Sequence, residues 1–297
     1  AYYETQPVPD TPTSDTILVV SADGKGIPMT RKDSPPPEAR RGRGERKTAK
    51  KEATVTALYT IAPYKRCSDD IIRALVPGYA AETSSLPPRP KPTTKHVFGT
   101  LGGQKIAFEQ LTKQAQRRSS DQITHYLALT DGNRGLKHRV PQDLPHFTLI
   151  IDIIHVTEYL WEAVNTLLGE THSGREMWMQ DALRCLLEDE LDSLLKHLNY
   201  QLPGLSKRKQ SLLKKVMNYL GNNRDYMHYQ QYLANGYPIG TGWSMVGAQV
   251  MLDLRAVYLN GDWDDFQRFR RHQAHQKRYG SLHPDALPEE LVLGLVA

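Results

Sequence analysis

Two stretches decide the fold: Thr16-Ile-Leu-Val-Val-Ser-Ala-Asp23-Gly-Lys-Gly26 and, further along the chain, His125-Tyr-Leu-Ala-Leu-Thr-Asp131-Gly-Asn133. Each is an apolar run of strand length followed by Asp-Gly, which predicts two buried β-strands. Asp-Gly is also a hairpin signal. No strand pattern follows Asp23 directly, however, so a two-residue hairpin is not expected there. We therefore expect each aspartate at the carboxyl end of a strand, where α/β sheets usually place their sites.

Two strand-end carboxylates in one sheet predict a site for divalent metal ions. Oxygen ligands suit Mg²⁺ and Mn²⁺. Two such ions about 3.5–4 Å apart can activate an attacking water and stabilise a leaving oxygen in phosphodiester chemistry. We expect Asp23 and Asp131 to be catalytic residues and metal ligands for this reason.

Strand patterns come first in the chain and helical patterns follow. The strand patterns cover residues 17–21, 53–61, 95–101, 124–130 and 146–151. The helical patterns cover residues 104–118, the stretch from Asp152 to a stop at Gly169, and 176–198, 207–220, 225–234, 243–259 and 262–279. Strands in series and then strands alternating with helices predict an α/β fold with a mixed sheet.

Asp152-Ile-Ile-His155 lies at a strand-to-helix junction and allows two interpretations. One is a helix N-cap aspartate with a histidine in the first turn. The other is a polar pair that supports the metal site or the DNA backbone near it. A zinc site would need further ligands at suitable spacing, and the sequence does not supply them.

The composition is that of an ordinary globular protein, with 39% hydrophobic and 24% charged residues and a net charge of +5. The segment 31–51 is rich in proline and basic residues, which predicts an exposed loop that contacts DNA. Its candidate DNA-binding residues are Arg40, Arg41, Arg43, Arg46, Lys47, Lys50 and Lys51. Two distant cysteines, Cys67 and Cys185, fit a reducing cytosol. With no apolar run of membrane-spanning length and no signal-peptide pattern, a cytoplasmic protein is expected.

These residues resemble a bacterial insertion-sequence transposase of the DDE, RNase H-like class, and most closely the Kra-type family. Matching segments run in order through nearly the whole chain. They are Val-Ser-Ala-Asp23-Gly-Lys-Gly, Ala53-Thr-Val-Thr-Ala-Leu-Tyr, Leu-Thr-Asp131-Gly-Asn, Asp152-Ile-Ile-His155, Lys207-Arg-Lys, Tyr219-Leu-Gly-Asn-Asn-Arg224, Gly236-Tyr-Pro-Ile-Gly-Thr-Gly242 and Leu254-Arg-Ala-Val-Tyr.

The resemblance implies an RNase H-like catalytic core over 16–154, with a lead at 1–15 and the basic loop at 31–52. A helical insertion over 155–235 and C-terminal helices over 236–297 would follow. Asp23 and Asp131 would be the first two metal ligands, and Asp152 and His155 a supporting motif. The implied reaction is strand cleavage and transfer that depends on two Mg²⁺ or Mn²⁺ ions. The implied partners are double-stranded DNA, at transposon ends and target sites, and further copies of the chain in a homo-oligomer at the nucleoid. An upstream DNA-recognition region is also expected.

The sequence departs from the family where the third carboxylate should stand. In the family, an apolar pair and the catalytic Glu follow Thr-Gly, but here Gly242 runs directly into Trp243. The prediction is therefore a deletion between these two residues and impaired catalysis. Asp253 lies too far along the chain to replace the Glu. The alternatives are a non-catalytic DNA-binding or oligomerising protein derived from a transposase, an RNase H-like nuclease unrelated to transposition, and a decayed gene product.

Overall fold

A mixed sheet of five strands forms the centre of the described part of the chain. The computed structural model describes residues 16–28, 50–79 and 87–240. Within these ranges the strands are β1 (Thr16–Pro28), β2 (Lys50–Ile61), β3 (Thr93–Thr100), β4 (Ile123–Thr130) and β5 (Thr148–Ile151). Their order is β3-β2-β1-β4-β5. The β1–β2 and β2–β3 pairs are antiparallel, whereas β1–β4 and β4–β5 are parallel.

Each face of the sheet is covered by its own set of helices, because successive side chains of a strand point to opposite faces. Leu18 and Val20 of β1 belong to a hydrophobic core with α2 (Gln104–Arg118) and α3 (Arg134–Asp143). Ile17 and Val19 belong to a larger core. Its helices are α1 (Ser68–Leu75), α4 (Ile153–Leu168), α5 (Arg175–Leu187), α6 (Leu191–Gln201), α7 (Lys207–Asn223) and α8 (Tyr229–Ala234). The predicted α/β class, with a mixed sheet flanked by helices, is confirmed.

Two of the helix predictions need correction, and two further helices were not predicted. The helix predicted over 176–198 is two helices, α5 and α6, separated at Asp189, whose φ of 59° lies outside the helical region. The helix predicted over 225–234 consists of a 3₁₀ turn, Arg224–Tyr226, and the short α8. Helices α1 and α3 were not predicted. In α3 the signal is obscured by Pro141, which lies inside the helix and is a residue that normally ends one.

Strand β1 does not end at Asp23, so that prediction is wrong. Its antiparallel pairing with β2 continues without interruption to the pair formed by Pro28 and Lys50. Lys50 and Lys51 therefore belong to strand β2 and not to the predicted basic loop. The parallel partner β4 stops pairing at Thr130, beside Ala22. Strand β3 pairs with β2 as far as Thr54, which lies beside Gly24, and beyond Gly24 β1 and β2 continue as a two-stranded ribbon.

Several predicted features lie outside the described residues. They are the lead at 1–15, the C-terminal helices predicted after residue 240, the junction of Gly242 and Trp243, and the basic residues Arg40, Arg41, Arg43, Arg46 and Lys47. The predicted boundary between core and insertion, at 154–155, falls inside α4. No helix within the described ranges is long and apolar enough to cross a membrane.

Candidate functional site

Three aspartates occupy neighbouring positions on three adjacent strands. Ala22 of β1 is in register with Thr130 of β4, and Thr130 is in register with Ile151 of β5. Each of these three residues is followed directly by an aspartate: Asp23, Asp131 and Asp152. The ladder continues to this level, since the Asp152 amide donates to the Thr130 carbonyl oxygen at 2.8 Å. Adjacent strands lie about 4.8 Å apart, so the three residues form a row, which we call the aspartate row.

Asp131 organises the turn that leads from β4 into α3. Its Oδ1 accepts the Asn133 amide at 2.8 Å, and Asn133 Oδ1 accepts the Gly135 amide at 2.8 Å. Asn133 is thus the N-cap of α3. The Asp-Gly-Asn motif therefore has a structural role as a turn and a cap, in addition to placing a carboxylate at the end of β4.

Asp152 caps α4, which confirms the N-cap interpretation. The residue is 1% exposed, and its Oδ1 accepts the Ile154 amide at 2.8 Å. His155 lies in the first turn of the same helix, and its Nδ1 is 3.5 Å from a carboxylate oxygen of Glu158. The cap and the aspartate row are compatible, because the helix begins where the strand ladder ends.

The electrostatics of Asp131 reflect its neighbours in the row. Burial raises the pKa of its carboxyl group, and the charge of Asp23 raises the pKa further. The Asn133 amide and the nearby His155 act in the opposite direction and lower it. The net pKa lies above the ordinary aspartate value. Asp131 is therefore a carboxylate whose negative charge is incompletely compensated by the described residues, and a cation bound here would stabilise that charge.

Helix α7 packs directly onto the loop after β4. The Tyr219 hydroxyl donates to the Asp131 carbonyl oxygen at 2.9 Å. Gly132, at φ 80°, allows this close approach, because a Cβ there would lie 3.0 Å from Asn223 Nδ2 and 3.1 Å from Tyr219 Cε2. Lys137 of α3 completes the contact by donating to Asn223 Oδ1 at 2.9 Å.

These contact residues had no predicted role. The segment Tyr219-Leu-Gly-Asn-Asn-Arg224, which resembles the family, includes Tyr219 and Asn223, but the resemblance does not identify their contacts. The contact joins residues 88 positions apart in the chain, and no local pattern encodes such a distance.

The described chain ends beside the aspartate row. The Gly236 carbonyl oxygen accepts the Tyr64 amide at 2.9 Å, and the Ile239 carbonyl oxygen accepts the Ile153 amide at 2.8 Å. A Cβ on Gly240 would lie 3.5 Å from Asp152 Oδ1. The segment 236–240 therefore passes over the start of α4 and reaches Asp152 at its last residue.

The chemistry of the donors fits a hard divalent cation, since Asp23 and Asp131 offer carboxylate oxygens. One oxygen of Asp152 is already engaged with the Ile154 amide. Across the described ranges, no group of three or more His, Cys, Asp or Glu side chains is arranged to hold a metal ion. No protein-family model and no curated protein matches the chain.

Proposed function

We propose that this chain carries the catalytic domain of a DDE transposase of the Kra-type insertion-sequence family, with an RNase H-like core. Its activity would be metal-dependent cleavage and transfer of DNA strands at the ends of the element. The observation that carries the proposal is the aspartate row, in which Asp23 and Asp131 lie side by side on adjacent strands at the level where β4 ends. The strand order and directions are compatible with an RNase H-like sheet.

In the proposed site, Asp23 and Asp131 would hold Mg²⁺ or Mn²⁺. Bound metal would activate the attacking hydroxyl or water and stabilise the leaving oxygen. The Asn133 amide and His155 partly offset the burial that raises the pKa of Asp131, and a bound cation would offset it further. The Tyr219 hydroxyl donates to the Asp131 carbonyl oxygen and so fixes the backbone of Asp131. Asp152 caps the start of α4, next to Asp131 in the row.

The β1–β2 ribbon supports DNA as the substrate. It extends past Asp23 by the residues 24–28, a length of about 17 Å at the usual rise per strand residue. The basic segment between Pro28 and Lys50 starts and ends at the tip of this ribbon. Its attachment points therefore lie at the same end of the sheet as the aspartate row, where a bound duplex would need positive charge.

Catalysis by this chain is proposed to be impaired. The segment 236–240 reaches Asp152, and in the family the catalytic Glu follows shortly after the corresponding residues. Here Trp243 follows Gly242 directly, so the third carboxylate is missing from that part of the chain. Loss of one of three ligands should reduce turnover by several powers of ten, since the metal ions do most of this chemistry.

Metal binding tests the proposal most directly. Mn²⁺ titration of the purified protein, followed by electron paramagnetic resonance, should show binding that Asp23→Asn and Asp131→Asn each weaken by at least about tenfold. The control is Asp121→Asn, which changes an exposed aspartate just before β4, at the opposite end of that strand. Equal affinity in all four proteins would refute the metal site. Rapid Mn²⁺-dependent DNA cleavage that Asp23→Ala abolishes would instead refute the impairment.

The second candidate is a non-catalytic DNA-binding protein derived from a transposase, which could assemble with intact copies. It is favoured by the finding that no group of three or more His, Cys, Asp or Glu side chains among the described residues is arranged to hold a metal ion. This candidate predicts DNA binding that depends on salt but not on Mn²⁺. Mn²⁺ binding that requires Asp131 would argue against it.

A further inference from the structure

One face of α7 carries a continuous polar surface that the proposed catalysis does not use. Lys207, Gln210, Ser211, Lys214, Lys215 and Asn218 line an open depression of about 580 Å³ on this face. Counted from Lys207, their spacing of three, four, seven, eight and eleven residues places them along one side of the helix. We call this surface the α7 stripe. It is about 17 Å long at the usual helical rise.

All the charged residues of α7 are positive. The helix contains five basic residues and no acidic residue. Three of the five, Lys207, Arg208 and Lys209, stand in the first turn, where the helix dipole disfavours positive charge. Ser206 provides an N-cap but no compensating charge. A helix start of this kind is electrostatically unfavourable, so the stability of the helix does not account for these charges.

Little of this charge is neutralised within the described residues. Lys215 is paired with Glu162 at 2.9 Å and lies over the Tyr159 ring. Lys207 and Lys214 have no carboxylate within ion-pair distance in the described part of the chain, and both are exposed. The stripe therefore offers two exposed ammonium groups, with the amide of Asn218 between them and the aspartate row.

The stripe leads to the aspartate row along a single rigid element. Asn218 is followed in α7 by Tyr219, which donates to the Asp131 carbonyl oxygen at 2.9 Å. Lys137 lies beyond it and donates to the Asn222 carbonyl oxygen at 2.8 Å. The C-terminal end of the stripe therefore lies one residue before the side chain that contacts the Asp131 backbone.

We propose that the α7 stripe binds the phosphate backbone of double-stranded DNA and guides the duplex to the aspartate row. This proposal rests on the proposed function for its choice of DNA. The physical argument is charge complementarity, since spaced ammonium and amide groups along a straight element match a line of phosphates. The contacts read no base, so binding through the stripe is independent of sequence.

The test compares two double variants in fluorescence-anisotropy titrations of a labelled duplex, in EDTA and over a range of salt concentrations. Lys207→Gln with Lys214→Gln removes the two exposed charges of the stripe. Lys105→Gln with Lys113→Gln removes two exposed charges from α2, on the other face of the sheet. All four lysines lie in helices, and both double variants remove two positive charges by the same Lys→Gln change.

The stripe variant should lower DNA affinity between about tenfold and a hundredfold near 0.1 M salt. It should also reduce the slope of log affinity against log salt by about 1.8, which is about 0.9 for each phosphate contact. The α2 variant should retain the affinity of the unchanged protein within about twofold. Lys207→Arg with Lys214→Arg should bind as the unchanged protein does, which excludes a loss caused by altered folding of α7.

Equal losses in the stripe and α2 variants, or no loss in either, would overturn the proposal. So would stronger binding to vesicles of anionic lipid than to the duplex. Because EDTA removes metal, the outcome is separate from that of the proposed catalysis. Failure of Mn²⁺ binding at Asp131 with a normal stripe effect would refute the metal site alone, and the reverse result would refute the stripe alone.

Discussion

Gly236 is expected to be one of the least replaceable residues of the protein. Its φ is 76°, a conformation that side chains with a Cβ rarely adopt. A Cβ there would lie 2.6 Å from the backbone nitrogen of Tyr64 and 3.0 Å from the Pro63 Cβ. No rotamer change relieves a clash with backbone, so Gly236→Ala must push apart the two segments and their hydrogen bond.

The magnitude follows from comparison with Gly78→Ala. Gly78 has nearly the same φ, 73°, but its Cβ would meet only a Glu176 carboxylate oxygen at 3.5 Å, an ordinary contact. The backbone strain is therefore similar in both variants and cancels. Gly236→Ala additionally loses the hydrogen bond from the Tyr64 amide, about 0.5–1.5 kcal/mol. Overpacking adds about 1–3 kcal/mol, so we expect an excess destabilisation of about 1.5–4.5 kcal/mol.

Urea unfolding followed by circular dichroism measures this difference. The two variants should have similar m-values, with the midpoint of Gly236→Ala well below that of Gly78→Ala. An excess of this size is a large part of the 5–15 kcal/mol that folded proteins typically have. If the two variants unfold with free energies within about 0.5 kcal/mol of one another, the close approach of 236–240 to Pro63 and Tyr64 is wrong.

Three further predictions concern the site and its supports. The folded state disfavours the charged form of Asp131, whose pKa is raised. Asp131→Asn should therefore become increasingly stable relative to the unchanged protein as the pH rises from the ordinary aspartate pKa through the raised pKa of Asp131. Urea unfolding at several pH values measures this, and parallel stability curves would contradict it. Tyr229→Phe removes a buried hydroxyl that donates to the Ile151 carbonyl oxygen at 2.8 Å, and should cost about 1–3 kcal/mol; a loss below about 0.5 kcal/mol would contradict it. Glu162→Gln breaks the exposed pair with Lys215 and should change the unfolding free energy by no more than about 0.5 kcal/mol, an effect that high salt should remove; a salt-independent loss would contradict it.

The repetitive elements of the fold could be predicted from sequence. Helix α2 has the predicted bounds, and the strands differ from their predictions mainly at the ends. The end of β1 was missed because Gly24, Lys25 and Gly26 have little intrinsic preference for strand. Their conformation comes from pairing with β2, which joins residues far apart in the chain. The break at Asp189 was missed for a similar reason, since apolar spacing continues across it.

The site could be predicted only in part. The motifs identified Asp23, Asp131, Asp152 and His155 one by one, but the aspartate row depends on the register of three strands, and register is a tertiary property. The Asp152-Ile-Ile-His155 motif allowed two roles for Asp152, a helix N-cap and a support for the metal site, which look incompatible. The structure shows why the cap is compatible with the row: helix α4 starts at the level where the β4–β5 ladder ends.

The attachment of residues 236–240 has a consequence for how this protein can change over evolution. Three hydrogen bonds from other parts of the chain hold this segment. The Tyr64 amide donates to the Gly236 carbonyl oxygen, and the Ile153 amide donates to the Ile239 carbonyl oxygen. Arg66 Nη2 donates to the Tyr237 carbonyl oxygen at 2.7 Å. These contacts come before Thr241 in the chain. Insertions or deletions downstream of them do not have to alter the register of the sheet. Changes in the chain after residue 240 can therefore leave the fold of the described residues intact, so the proposed loss of a third carboxylate need not be accompanied by a loss of stability.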